Sequence, residues 1–488
     1  LGHRQTLCGQ QADRQGLRCY LREKGKYLIK PGSGLVLCLD SLCNLITQTN
    51  SENASPTLVT LDESEQITRH LFGKTIGDKL EAVAACLRRI IKQARSVACL
   101  DADAGPLTRA LLKWAGKDEG MFIENLWRGW GFNVQGGSTV FCLKDRTSNG
   151  RLQLIHQAAC EIQDLRPDDP AVVVSCTSNK QSFDMAHIAA EKLGFERAKD
   201  AVDAGVLLLI NSKTKGWPQN ERFLDACTKA AAENDPTDLR EHLGRIRALI
   251  YSPTCGTGIT INEPVSRVFV MSKSVCGITG HDVVQLMTRP RKHLKPALMW
   301  LDETTFPDMP RTKEQAREQS NIFFEEAAYS IAKTKGVSNF LRKVFNTSLR
   351  ERAFFKAAAA DLYELKLEVW AAIGCEGWNP AQSTLDTLLA RGVEIVETEG
   401  GAAIPHSTIK ALREKAKEDN IQGTLDAPKL APDADLEPLN HIHTPEADRT
   451  RVRAHIERRL DKDVCEETAR AEEERGALSA GNRLADVA

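Results

Sequence analysis

The 488-residue sequence predicts an α/β protein with mainly parallel sheets, followed by a mostly helical C-terminal region. Three observations predict it. Short, nearly continuous apolar runs recur from the start to about residue 305, and segments of helical period lie between many of them. Uninterrupted apolar strands alternating with helices are the mark of parallel sheets covered on both faces. After about residue 306 the clear strands stop and the chain becomes rich in Ala, Glu, Lys and Phe.

In order, the strand candidates are LVLCL (35–39), TLVTLDE (57–63), SVACLDAD (96–103), AVVVSCT (171–177), VLLLINS (206–212), RALIYSPT (247–254), RVFVMSK (267–273) and ALMWLDE (297–303). GDKLEAVAACLRRIIKQA (77–94) and QSFDMAHIAAEKLGF (181–195) are two of the intervening helices. The strands fall into two sets, and QDLRPDDP (163–170) reads as the linker between a first domain over 1–162 and a second over 165–305. Residues 306–423 read as a helical accessory domain: 313–373 is helical, and helix, VEIVETEG, turn and helix over 380–415 suggest a winged-helix-like unit. Residues 424–488 read as a charged linker and tail.

Composition excludes little. A hydrophobic fraction of 42% and a charged fraction of 27% belong to an ordinary soluble chain. The formal net charge of -1 does not advertise nucleic-acid binding, although a local basic groove can sit on a neutral whole. None of the 14 cysteines is spaced as CxxC or as a zinc finger, so buried thiols in a reducing cytoplasm are expected. No apolar run approaches the ~18 residues of a membrane span. The opening LGHRQTLCGQ lacks a signal-peptide pattern and an initiator Met, and it reads as starting inside a longer pattern.

Three stretches carry chemistry. In LVTLDESEQ (58–66) an apolar strand ends in Asp62-Glu63. A carboxylate there can hold the water shell of Mg²⁺ while the next acid polarises an attacking water; a strand ending in an ordinary polar turn looks the same. In SPTCGTGITI (252–261), Gly256 and Gly258 permit close backbone approach, and Thr254 and Thr257 add hydroxyls, a pattern suited to a phosphate; a ligand-free Gly-rich turn is the plain alternative. In VVQLMTRPRKH (283–293), Pro290 stiffens the turn between Arg289 and Arg291, and a helix ending there would put Gln285 one turn before Arg289. Guanidinium groups bind phosphate in plane with two hydrogen bonds, although a basic helix end also complements its own dipole. LFGKTIG (71–77) holds only the tail of a P-loop pattern: position 68 is Thr where Gly is required.

The order DESE, LDAD, SPTCGTGITI, QLMTRPR resembles superfamily 2 helicases, above all herpesvirus-type replication origin-binding proteins and the plasmid replication proteins of cyanobacteria and their phages. HRQTLCGQQADRQGLRCY (3–20) resembles the segment after the P-loop in that group, and LVLCLDSLCNL (35–45) its next motif. The resemblance covers about residues 1–305 and implies two RecA-like lobes with ATP and Mg²⁺ between them. It assigns Asp62 to the metal, Glu63 to the attacking water, and Arg289 and Arg291 to the γ-phosphate. It places Gln285 and Gly258 at the nucleotide and Arg4, Ser41, Thr254, Gly256 and Thr257 along the DNA. The P-loop should precede His3, so the first lobe is expected to be incomplete and the chain as written a poor ATP binder. Thr288 and Pro290 also stand where relatives often have Gly and a small aliphatic residue.

The expected function is a cytoplasmic replication helicase or origin-binding ATPase acting on DNA, with other replisome proteins as possible partners and Trp127 and Trp130 as stacking candidates. The alternatives are a non-hydrolysing DNA-binding or scaffold protein of a replication complex, and a metabolic α/β protein.

Overall fold

The computed structural model describes residues 1–2, 8, 12, 15–22, 33–46, 56–73, 75–101, 105–117, 119–120, 139–233, 235–253, 261–274, 278–321, 360–430, 445–460 and 464–475. Arg4, Thr254, Gly256, Thr257, Gly258, Trp127 and Trp130 lie outside them. The chain divides into two units. The first is Leu1–Trp127, Ala231–Glu233 and Thr305–Asn379; the second is Arg128–Ala230, Asn234–Thr304 and Pro380–Ala488.

In the first unit, β1 (Arg18–Cys19) pairs with β2 (Leu35–Val36), and β3 (Leu58–Asp62) pairs with β4 (Ser96–Leu100), both in parallel. The first two residues lie between these ladders. Leu1 accepts from Asp62 N–H and donates to Thr60 O, and Gly2 bridges to Cys38. The helices Ser64–Leu71, Leu80–Gln93 and Pro106–Trp114 bury Ile67, Leu71, Leu87, Ile91 and Leu111 in one core with Leu39 and Leu61. Leu362 and Leu365 of the helix Ala360–Gly377 join that core, which makes the late segment part of the first unit and not a separate accessory domain.

The second unit is built on a seven-stranded sheet. Its strands are β5 (Thr139–Leu143), β6 (Val172–Cys176), β7 (Leu207–Ile210), β8 (Ala248–Tyr251), β10 (Val268–Ser272), β12 (Ala297–Leu301) and β13 (Glu394–Thr398). The order is β13-β5-β12-β10-β6-β8-β7, and every pairing is parallel. The helices Ser148–Asp164 and Asn179–Lys192 cover one face, burying Leu154, Ile155, Met185 and Ala189 against Val172, Val174, Phe269 and Met271. Helices Pro218–Glu233 and Gly280–Met287 cover the other, with Phe223, Val283 and Met287 against Val173, Val270 and Met299. A separate parallel pair joins β9 (Ile261–Val265) to β11 (Pro290–His293). In β6, β7, β8, β10 and β12 the residues that alternate between faces are buried on both, which is why these runs read as almost unbroken apolar stretches.

The unit boundaries differ from those expected of the sequence. β5 and the helix Ser148–Asp164 sit in the second sheet, so residues 163–170 lie inside a unit. VEIVETEG is no wing. It forms β13, which pairs from Glu394↔Thr139 to Thr398↔Leu143 and becomes an edge strand. The tail includes helices Pro445–Leu460 and Glu466–Arg475, and Arg453 donates to the carbonyls of Leu425 and Ala427 at the end of the helix His406–Leu425.

Candidate functional site

The first unit places Asp62 at the C-terminal end of β3, half-buried, with Glu63 directly after it. Glu63 is the N-cap of the helix Ser64–Leu71 and has φ 57° and ψ 60°, the one non-glycine positive φ among the described residues. A glutamate held in the left-handed region costs about 1–2 kcal/mol, so its surroundings must hold it there. Its N–H donates to Leu100 O at 2.7 Å, which fixes the strand end to β4.

The residues that follow lock the turn to the segment after β4. Asp101 Oδ2 accepts from Glu65 N–H at 2.8 Å, which caps the first turn of the helix Ser64–Leu71. Glu65 returns the favour: its Oε1 accepts from the N–H groups of Gly105 (2.8 Å) and Thr108 (2.7 Å) at the start of the helix Pro106–Trp114. A carboxylate is favoured at a helix N-terminus by both the free N–H groups and the dipole. Ser64 Oγ and Thr108 Oγ1 lie 2.8 Å apart, both buried. Asp101 thus caps the helix that follows the acid pair, and Glu65 of that helix caps the next one. The sequence singled out DESE and LDAD for their order. The reciprocal roles of Glu65, Asp101 and Thr108 went unread, although Gly105-Pro106 ahead of an apolar run is a helix-start signal.

Ser41 ends a short 3₁₀ turn, Leu39–Ser41, in the same unit. Its neighbour Asp40 meets His70 Nε2 at 2.8 Å, which ties that turn to the last turn of the acid-bearing helix. Nearby, Cys38 is pulled down to about 7 by a hydrogen bond from Cys8, whereas burial raises Cys86 and Cys99 to about 11.

The second unit holds Gln285, Arg289 and Arg291. Thr279 and Asp282 form a capping box that starts the helix Gly280–Met287, with Gln285 on its final turn. The helix stops at Met287, so Arg289 stands beyond the C-cap Thr288, and Pro290 begins β11. The expected helix end at Arg289 is therefore a helix-to-strand turn, which the fixed φ and missing N–H of proline favour. Arg291 is on β11 and is exposed.

The same unit brings the two phosphate-like stretches together. Tyr251 Oη donates to Leu286 O at 2.7 Å, and Arg289 N–H donates to the same carbonyl at 3.3 Å. Ile261 N–H donates to Arg289 O at 2.9 Å. Ile261, the last residue of SPTCGTGITI, is thus paired to the turn that carries Arg289.

The C-terminal edge of the seven-stranded sheet carries a polar cluster that the sequence did not flag. Asn179 Nδ2 donates to Ser212 Oγ at 2.6 Å, and Ser252 Oγ donates to Asn179 Oδ1 at 3.2 Å. Ser178 caps the helix Asn179–Lys192. These groups follow β6, β7 and β8, the edge at which ligands enter open parallel sheets.

No protein-family model and no curated protein matches the chain. Among solved structures, the chain is similar to the Mycobacterium smegmatis helicase Lhr bound to ssDNA and AMP-PNP (TM-score 0.36, 13% identity, 56% of this chain and 32% of that one). It is also similar to S. cerevisiae Dbp5 bound to RNA and ADP BeF3 (TM-score 0.36, 14% identity, 58% and 62%). A third is the DUF1998 helicase MrfA bound to DNA (TM-score 0.39, 12% identity, 85% and 52%). The chain spans about a third of the Lhr chain and about six-tenths of the Dbp5 chain. Among the described residues no helix is long and apolar enough to cross a membrane.

Proposed function

We propose that the chain is an ATP-dependent, helicase-type replication protein that acts on DNA. The observation that carries this reading is the Asp62-Glu63 turn. Two carboxylates stand at a parallel strand's C-terminal end, and Glu63, the second, has a left-handed backbone braced by the Asp101 and Glu65 caps. Strain of this kind persists where the surroundings over-determine it, and functional turns are where it gathers.

The acids fit a hydrated divalent cation, because Asp62 is half-exposed at the strand end and Mg²⁺ keeps most of its waters. Bound Mg²⁺–ATP would supply the phosphoanhydride and charge neutralisation. On this reading Asp62 would orient the metal's water shell and Glu63 would take the proton of the attacking water, while Gln285, Arg289 and Arg291 of the second unit would serve the nucleotide, the arginines by offsetting phosphoryl charge. Residues 252–261 and the Asn179–Ser212–Ser252 cluster would follow a single strand by its phosphates.

The test is ATP hydrolysis with and without single-stranded DNA, alongside DNA binding by fluorescence anisotropy at two salt concentrations. DNA-stimulated turnover that Glu63→Gln removes without loss of DNA binding supports the reading. DNA binding with no turnover supports the scaffold alternative. Absence of DNA binding removes both.

A further inference from the structure

Within the first unit a cavity of about 450 Å³ opens between the helices Pro106–Trp114 and Ala360–Gly377. That is the size of a small-ligand site. Gly105, Pro106, Arg109, Ala110 and Lys113 line one side of it and Glu368 the other. The two helices share a core through Leu111, Trp114, Leu362 and Leu365, so the walls are held to one another.

The helix start itself has little to give a ligand. Glu65 Oε1 already accepts from the N–H groups of Gly105 and Thr108, and Pro106 has no N–H. What the cavity offers is side-chain charge. Arg109 and Lys113 are both exposed and lie four residues apart on one helix. That spacing makes them neighbours on one face, with roughly 5–6 Å between their Cβ atoms.

The opposite wall is balanced. Glu368 Oε1 accepts from Lys313 Nζ at 3.0 Å, and Lys313 also lies 3.7 Å from Glu364. Arg317 donates to Glu364 at 2.7 Å. Those two acids and two bases cancel, so Arg109 and Lys113 give the site a surplus of two positive charges. Lys313 engages Glu368 at one oxygen, which leaves the carboxylate acceptor capacity for a ligand group. Pro106, Ala110 and the aliphatic stems of Arg109 and Lys113 supply apolar surface between the walls.

We propose that this cavity binds a small-molecule phosphate monoester: Arg109 and Lys113 take the phosphate, and Glu368 accepts from a hydroxyl or amino group at the ligand's other end. A guanidinium meets phosphate in plane with two hydrogen bonds, and an ammonium adds a point charge. A monoester carries about 1.5 to 2 negative charges at pH 7, which matches the surplus. The site lies inside one unit, apart from the residues assigned to ATP. It stands whether or not the chain hydrolyses ATP.

Calorimetric titration of the whole chain with adenosine monophosphate, inorganic phosphate and adenosine tests it, and hydrogen–deuterium exchange locates the site. The monophosphate is expected to bind more tightly than inorganic phosphate, and adenosine is expected not to bind. At ten times its dissociation constant the monophosphate should slow amide exchange about tenfold in the helices Pro106–Trp114 and Ala360–Gly377. Arg109→Ala and Lys113→Ala, both at exposed positions, are each expected to weaken it about tenfold or more. Glu368→Leu is expected to weaken the monophosphate more than inorganic phosphate. Three results would overturn the site: no binding of the monophosphate, adenosine binding as tightly as the monophosphate, or protection that falls outside these two helices or survives both Arg109→Ala and Lys113→Ala.

Discussion

The acid turn and the arginine turn rest on different foundations. In the first unit β4 has an apolar sequence, yet among the described residues it pairs with β3 alone, and Leu100 is 53% exposed. The turn that follows β3 is held largely by polar stitches: Glu65, Asp101, Ser64 and Thr108. In the second unit β6, β10 and β12 are buried at every residue, and the helix before Arg289 presses Val283, Val284 and Met287 into the core. Polar stitching is directional and fails when a single partner is lost; a core seat is non-directional and tolerates small changes. The first turn should therefore respond most sharply to loss of single hydrogen-bonding groups, and the second to changes that leave a charge or volume unmatched inside.

The largest expected effect sits in the second unit, at a buried acid held by two arginines. Asp184 is held by Arg151 at 3.0 Å and by Arg413 Nε at 2.8 Å, with its side chain only 2% exposed. Asp184→Ala leaves two guanidiniums without their partner and should cost about 3 kcal/mol of stability, the low end for a broken buried pair because Arg413 reaches solvent. Urea unfolding followed by Trp217 and Trp300 fluorescence reads it, and a loss confined to the first unit would reverse the comparison.

Next comes Glu65→Ala, which strips two N–H groups at the start of the helix Pro106–Trp114 of their acceptor. A loss of about 1–3 kcal/mol is expected, with faster amide exchange in that helix and at residues 63–65. A neutral result would mean the polar stitches do not hold the acid turn.

A pH series separates the units further. Burial lowers the pKa of His293 and of His187, both in the second unit, below the ordinary 6.5. The unfolded chain then binds more protons than the folded one between the lowered values and 6.5, so the stabilisation is full above that range and is lost as pH falls through it. Acid should weaken the second unit, and His293→Gln should flatten its slope; an unchanged slope would contradict the assignment.

The smallest effect is at Glu63. Glu63→Gly removes about 1–2 kcal/mol of left-handed strain and returns part of it as chain entropy, so a net gain of under about 1 kcal/mol is expected in thermal unfolding. A loss of stability would show that the glutamate side chain itself holds the turn.

Much of the fold was legible because buried parallel strands leave a simple trace. VVVSC, LLLI, VFVMS and ALMWL are apolar at every or nearly every position, and each is a strand of the seven-stranded sheet. β9 and β11 were not legible: INEPV and PRKH are polar and hold prolines, so neither stood out as a strand, and each is paired only with the other among the described residues. β13 looked like a wing because nothing local says which sheet it will join. The extent of the first unit was hidden for a similar reason. Its late helix is attached by Arg69–Glu376 and Arg88–Asp361, charge pairs between residues roughly three hundred positions apart that leave no periodic trace. At the candidate site, the acids and arginines could be named from spacing. The left-handed backbone of Glu63 could not, since glutamate is not a residue type that announces that conformation.

On the reading proposed above, the Asp62-Glu63 turn is the hydrolytic end of a DNA-dependent ATPase. Steady-state ATP turnover with saturating single-stranded DNA, on the product of the whole natural coding sequence with and without Glu63→Gln, tests it most directly. The account predicts turnover that rises with DNA and is abolished in the variant, with DNA affinity unchanged; undiminished turnover in the variant would contradict it.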